Sequence, residues 1–222
     1  MADYSANDRK LTLKVVYYGP ALSGKTTNLM QLHTRLNPQR KGELMVLETR
    51  DDRTLFFDLL PIGLRSASGL DLRLKLYTVP GQVQHDSTRK AVLSRVDGVI
   101  FVADSQTSQQ DNNASAFDNL AENLQKLGLD IEQLPLVVQF NKRDLADAID
   151  EATLQARWAN TPWAPLALAS ALQGQGVVES FQQLLRRLYP VVDQEFALAA
   201  EHAIDARTFV RQLSAAHEPP HA

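Results

Sequence analysis

The chain has 222 residues, 44% of them hydrophobic, enough for one full core with an extension beyond it. It has no cysteine, which excludes disulfides, thiolate chemistry and Cys-based metal sites, and its histidines (33, 85, 202, 217, 221) lack ligand spacing except near the end, so no structural zinc is expected. Lys+Arg and Asp+Glu balance at 21 each over residues 1–189, and the net −3 comes from 2 against 5 over 190–222, so neither part has the basic face of a nucleic-acid binder.

The N-terminal stretch MADYSANDRK is polar where a signal peptide would carry an apolar core. No apolar run approaches the roughly 18 to 20 residues that span a membrane, which leaves the cytoplasm as the expected compartment. From about Leu11 to Pro190, short β-rich runs alternate with helical stretches, and this predicts a βαβ sheet. The first strand is LTLKVVYYG, followed by a glycine-rich turn and a helix. TLFFDLLPIGL, residues 54–64, is apolar enough either to pack as a strand or to mark a partner surface when exposed, and core packing is expected for at least half of Phe56, Phe57, Leu59 and Leu60.

LRLKLYTV follows, and its alternation suggests a strand nearer an edge. Residues 87–93 have helical spacing, and the runs in DGVIFVADS and LPLVVQFN suit parallel strands covered on both faces. Between those two, FDNLAENLQKLG reads as a helix stopped at Gly128. After Pro190, Phe196, Ala200, Ile204 and Val210 recur at near-helical spacing before a Pro-Pro end. That extension reads either as a helix attached to its own domain or as a docking helix for a partner. The division expected is a polar segment 1–10, a folded domain 11–189 and an acidic, partly helical extension 190–222.

Chemistry enters at GPALSGKTTN, residues 19–28. Gly19, Gly24, Lys25 and Thr26 complete the pattern G-x-x-x-x-G-K-[ST], whose successive backbone N–H groups and helix end cradle phosphate oxygens. Lys25 adds a positive charge, Thr26 a hydroxyl for a Mg²⁺ bridging the terminal phosphates, and the stretch Ala21, Leu22, Ser23 and Thr27 completes the nucleotide contacts. This loop alone leaves ATP or GTP, and kinase, hydrolase or motor, open.

FNKRD, residues 140–144, decides the base. Asp144 at the end of an apolar strand can accept from guanine's ring N–H and exocyclic amine, whereas adenine would oppose an acceptor to it. Asn141 is expected to tie the base loop to the phosphate loop, the Lys142 stem to cover the base, and the turn at Ser170, Ala171 and Leu172 to bring a backbone N–H to the guanine carbonyl.

Together these residues resemble the Ras-like small GTPases, and TVPGQ with DRTLFFDLLP resembles the bacterial MglA family; the resemblance covers about residues 11–189. It implies an α/β fold of the three-layer P-loop NTPase type, mostly parallel, with helices on both faces. It implies Gly81 as a γ-phosphate donor, Gln82 as the residue that orients the attacking water, Thr54 as the switch threonine reaching Mg²⁺ and γ-phosphate, and Arg53 as an arginine finger in cis. Read without the family, Arg53 is an arginine in a charged loop. Thr78 stands where most Ras-like proteins carry an Asp, a substitution shared by MglA-like proteins, so a neutral hydroxyl would act on Mg²⁺ through water.

The chain departs from the family at Ala21, where MglA-like loops usually carry glycine. A methyl there would lie beside the γ-phosphate and obstruct assisted hydrolysis without preventing GTP binding; where the backbone has φ < 0, the alanine itself costs little. The resemblance thus implies a GTP/GDP switch that hydrolyses GTP slowly alone and faster with an MglB-like Roadblock-domain activator. An exchange factor and polar effectors are further implied partners, cell polarity and surface motility the implied process, and recruitment to a cell pole the implied location. The alternative is a GTP-bound scaffold held nearly inactive by Ala21 and Thr78; a small-molecule kinase is disfavoured by NKRD.

Overall fold

The computed structural model describes residues 2–47, 57–80 and 86–216. Strand β2 (Lys10–Tyr18) is the axis of the sheet, bonded in parallel to β5 (Asp71–Thr78) on one side and to β6 (Gly98–Asp104) on the other. Beyond β6 lie β7 (Leu136–Asn141) and the two-residue β8 (Ala167–Leu168), both parallel. Beyond β5 the direction reverses: β4 (Phe57–Arg65) runs antiparallel to β5, and β3 (Met45–Leu47) antiparallel to β4. A short β1 (Asp3–Ser5) pairs antiparallel with the start of β2, so the polar N-terminal segment contributes to the sheet. The order among described residues is β3-β4-β5-β2-β6-β7-β8.

Because a strand's side chains alternate between faces, β2 serves two cores. Leu13, Val15 and Tyr17 pack with Leu29 and Leu32 of α1 (Lys25–Arg35) and Phe181 and Leu184 of α5 (Val177–Phe196). Val16 and Tyr18 pack on the other side with residues of α2 (Asp86–Leu93), α3 (Gln110–Lys126) and α4 (Glu151–Trp158), among them Leu93, Leu120 and Leu154. Every residue of β6 and β7 is buried, as parallel strands covered on both faces require.

One strand departs from its sequence reading. The alternation over 72–77 suggested a strand near an edge, yet β5 is flanked by β4 and β2. Leu72, Leu74 and Leu76 are fully buried while Arg73 is exposed and Lys75 and Tyr77 are half-buried. The alternation therefore reports a face left partly open to water. In β4, Leu60, Ile62 and Leu64 are buried in the α1/α5 core, and Leu59 is half-buried. Phe56 lies outside the described residues.

Helix α3 stops where glycine allows it: Gly128 has φ +75, and Leu129 donates its N–H back to the Leu124 carbonyl at 2.9 Å. At the C-terminal end α5 runs through Pro190 to Phe196, so the shift in composition after residue 189 does not fall at the end of an element. Helices α6 (Leu198–His202) and α7 (Ala206–Leu213) then fold back, and Leu198, Ile204, Phe209 and Leu213 are buried in the α1/α5 core. Phe209 meets Tyr189 edge-on at 5.5 Å, and Tyr189 Oη donates to the Ile204 carbonyl at 3.0 Å. The Ala215 carbonyl accepts from Asn37 N at 2.9 Å, closing the extension onto the end of α1.

Replacing Phe209 by Ala removes a fully buried ring and is expected to lower unfolding stability by about 3 kcal/mol. Chemical denaturation of the full chain measures it, and a loss below about 1 kcal/mol would deny the extension a place in the core.

Candidate functional site

The sheet changes its winding at β2, and the crevice beyond the carboxyl ends of β2 and β6 is where an open α/β sheet places its ligand. The turn from β2 into α1 carries the glycines this closeness demands. Gly19 has φ +143, and a Cβ on it would lie 2.2 Å from the Val102 carbonyl oxygen of β6. Gly24 has φ +96, and a Cβ there would lie 2.3 Å from Asn141 Nδ2. Leu22 takes a third left-handed position at φ +61, which costs a side-chain-bearing residue roughly 1 kcal/mol, with its side chain 88% exposed. Ala21 is exposed and is not among the described residues with positive φ, so its methyl causes no backbone strain.

Lys25 opens α1 and is buried, its Nζ donating to the carbonyls of Gly19 at 3.1 Å and Pro20 at 2.6 Å. Burial, and secondarily the guanidinium of Arg89, lowers its pKa to about 7, while the Asp58 carboxylate opposes them. A cation kept at such cost, next to a helix N-terminus with no side-chain cap, suits a multiply charged anion. Ser23 is buried, Thr26 exposed and Thr27 half-buried.

The base loop and the phosphate loop are joined through one side chain. Asn141, at the end of β7, is 2% exposed; its Nδ2 donates to the Ser23 carbonyl at 2.8 Å, and its Oδ1 accepts from Ala171 N at 2.8 Å. The tie expected of Asn141 is thus in place and reaches a third loop. It also holds the Ala171 N–H, which would have to be shared to reach a guanine carbonyl. Ser170 Oγ donates to Asp144 Oδ1 and orients that carboxylate. Lys142, at φ +67, places its Nζ 2.6 Å from Asp104 Oδ2, and Leu172 is 76% exposed.

Thr78 ends β5 beside Asp58 of β4: its Oγ1 accepts from Asp58 N at 2.8 Å and donates to Asp58 Oδ2 at 3.1 Å. The neutral hydroxyl is therefore coupled to a buried carboxylate, which sequence reading missed because the pair bridges two strands. Asn28 was missed as well. Fully buried on α1, it donates from Nδ2 to the Gly24 carbonyl at 2.9 Å and accepts from Gln139 Nε2 at 3.0 Å; Gln139 also donates to Ser180 Oγ at 2.9 Å. An Asn on the apolar stripe of a helix was the available signal. Arg53, Thr54, Gly81 and Gln82 lie outside the described residues.

The Thr26 hydroxyl in the first turn of α1 and the oxygens of the Asp58–Thr78 pair are of the ligand type that suits a hard divalent cation such as Mg²⁺. The phosphate cradle on a switch-point sheet, with the base loop bonded to it, defines a P-loop small GTPase. Residues 62–188 match the ADP-ribosylation factor family. The chain is also 47% identical, over 149 residues, to the mutual gliding-motility protein MglA of Myxococcus xanthus (strain DK1622), covering 67% of this chain and 76% of that protein. The chain belongs to the MglA-like small GTPases of that family: it binds guanine nucleotide, hydrolyses GTP and works as a GTPase switch. Among the described residues no helix is long and apolar enough to cross a membrane.

Proposed function

We propose that the protein cycles between GTP and GDP with Mg²⁺ bound, hydrolysing GTP slowly alone and faster with a Roadblock-domain activator of the MglB type, in the control of cell polarity and surface motility. It acts in the cytoplasm and at a cell pole reached through partners, with an exchange factor and polar effectors completing the cycle. The gliding-motility name of its Myxococcus relative supports the process. The observation that carries the reading is the Asn141 bridge, which makes phosphate loop and base loop one unit.

In this reading Gly19, Ala21, Leu22, Ser23, Gly24, Lys25, Thr26 and Thr27 surround the phosphates, and Gly81 N–H and Thr54 meet the γ-phosphate. Asn141, Lys142, Asp144, Ser170, Ala171 and Leu172 hold the base. Mg²⁺, when bound, neutralises phosphate charge; Thr26 and Thr54 hold it, with Thr78 acting through water and its bond to Asp58. Gln82 orients the water for in-line attack, and Lys25 and Arg53 neutralise charge on the transferred phosphoryl group. The absence of a positive φ at Ala21 removes the backbone objection to its methyl, and turnover decides between enzyme and scaffold.

Single-turnover GTP hydrolysis at saturating Mg²⁺, with and without a Roadblock-type protein, tests this. Gln82→Ala is expected to slow turnover roughly 10²-fold or more, the scale of a lost water-orienting group. A wild type that binds GTP yet turns over only as Ala21→Gly would instead establish the scaffold reading.

A further inference from the structure

Two helices of the site begin in the same way. Gly24, the N-cap of α1, and Gly176, the N-cap of α5, take left-handed backbones at φ +96 and +71, and neither helix has a side-chain cap. In both, the side chain four residues on turns back to the N-cap carbonyl. Asn28 Nδ2 donates to the Gly24 carbonyl at 2.9 Å, and Ser180 Oγ donates to the Gly176 carbonyl.

Gln139 joins the two. It is fully buried on β7, and its Nε2 donates to Asn28 Oδ1 at 3.0 Å and to Ser180 Oγ at 2.9 Å. The directions within this relay follow from its ends. A carbonyl only accepts, so Asn28 must turn its NH₂ to Gly24 and its oxygen to Gln139, and Ser180 must direct its hydroxyl proton to Gly176. Gln139 then has to supply both N–H groups between them. Its Oε1, by contrast, has no hydrogen-bond partner among the described residues. A buried amide with an unsatisfied acceptor costs stability, so packing alone is a poor reason for glutamine between Val138 and Phe140.

Both ends of the relay reach groups that hold the nucleotide in the function proposed above, and the inference rests on that reading. The Gly24 carbonyl shares a planar amide with the Lys25 N–H, so fixing the carbonyl fixes the direction of a first-turn donor that has no intrahelical partner. Gly176 stands at the root of the base loop, which closes where Ser170 and Gln175 exchange two backbone bonds, each 3.0 Å long.

We propose that Gln139 is a positioning residue that couples the phosphate site to the guanine site: through Asn28 and Ser180 it fixes the start of α1 against the root of the base loop, so that a nucleotide seated by its phosphates meets a base site already in register. It is a second tie beside Asn141, which holds Ser23 and Ala171 and shares no hydrogen bond with the relay. Such a strut raises affinity by preorganisation, without touching the nucleotide.

Gln139→Met keeps the length of the side chain and removes its amide. Wild type and variant, as full chains with Mg²⁺, are compared by competition titration for affinity toward GDP, inosine diphosphate and pyrophosphate, and for melting temperature. Inosine diphosphate lacks the exocyclic amine that Asp144 accepts, so the preference for GDP over it reads the base site, whereas pyrophosphate reads the phosphate site alone. The variant is expected to bind GDP about 10-fold more weakly, the scale of coupling within one hydrogen-bond network, with that preference reduced and pyrophosphate affinity held within about 2-fold. Ser180→Ala cuts the relay at its other end with little change of volume, and it is expected to reduce the preference in the same direction even where Gln139→Met fails to fold. The double variant is expected to be no worse than the worse single one. Equal losses for all three ligands, a preference unchanged in Ser180→Ala, or additive losses in the double variant would overturn the proposal. Asp144→Asn separates the two levels: a GDP affinity unchanged by it removes the base-site reading and this inference with it. If Asp144→Asn collapses GDP binding while the Gln139 and Ser180 variants keep the wild-type preference, only the role of Gln139 is lost.

Discussion

Asp144→Asn is expected to reduce affinity for GDP and GTP by about 10⁴-fold, the scale on which a site built for paired polar groups rejects a mismatched one. Guanine presents two adjacent donors, and a carboxylate accepts both. An amide presents one acceptor and one donor, so its NH₂ would face the exocyclic amine of the base with no acceptor between them. Xanthine, which carries a carbonyl in place of that amine, matches the amide, and xanthosine diphosphate is expected to bind the variant better than GDP does. The Ser170 hydroxyl that donates to Asp144 Oδ1 can donate to the amide oxygen equally well, and Asp144 is only half-buried. The nucleotide-free protein should therefore keep its stability. Competition titrations with GDP and xanthosine diphosphate measure the result, and a fall below about 10-fold for GDP with no gain for xanthosine diphosphate would remove Asp144 from base selection.

What the sequence revealed of this site, and what it did not, follows from where the contacts run. The phosphate loop and the NKRD run could be read because each packs its chemistry into a few adjacent residues whose spacing is itself the signal. Strands β6 and β7 could be read because burial on both faces leaves a nearly continuous apolar run, broken in β7 only by Gln139 before its end at Asn141. The pairs that join distant elements are of another kind. Asp58 meets Thr78 across 20 residues, Arg89 meets Asn119 across 30, and Asn28 meets Gln139 across 111. No local pattern records such a pair, because a single polar residue, even a conspicuous one such as Asn28, does not name its distant partner. The same limit explains β5, where alternation reported an open face but could not say which strands lay beside it. The extension beyond Pro190 left two readings open because helical spacing shows an apolar stripe without showing what covers it. In the structure that cover is the protein's own core, with Phe209 against Tyr189.

Asn141→Ala should behave differently from the Asp144 substitution, and the contrast tests the architecture of the site. Asn141 supplies one donor to the Ser23 carbonyl and one acceptor to the Ala171 N–H, and all three residues are buried. Removing the side chain leaves both backbone groups without the partner seen here, and each such buried orphan costs about 1–3 kcal/mol. The sum, about 4 kcal/mol, is expected to appear partly as lost stability of the nucleotide-free chain and partly as weakened GDP binding, with affinity falling up to about 10³-fold. Gly24 sharpens the argument. Its missing Cβ is what lets Asn141 Nδ2 approach the loop, so the glycine and the asparagine form one device, and the alanine variant leaves a gap that no neighbour is shaped to fill. Unlike Asp144→Asn, this variant has no rescuing base: xanthosine and guanosine nucleotides should be lost together, since the damage is to the tie between loops. Thermal unfolding without nucleotide, read beside GDP titration, distinguishes the cases. An unchanged melting temperature with a selective loss of guanine would place Asn141 in base contact alone and dissolve the single unit on which the proposed function rests.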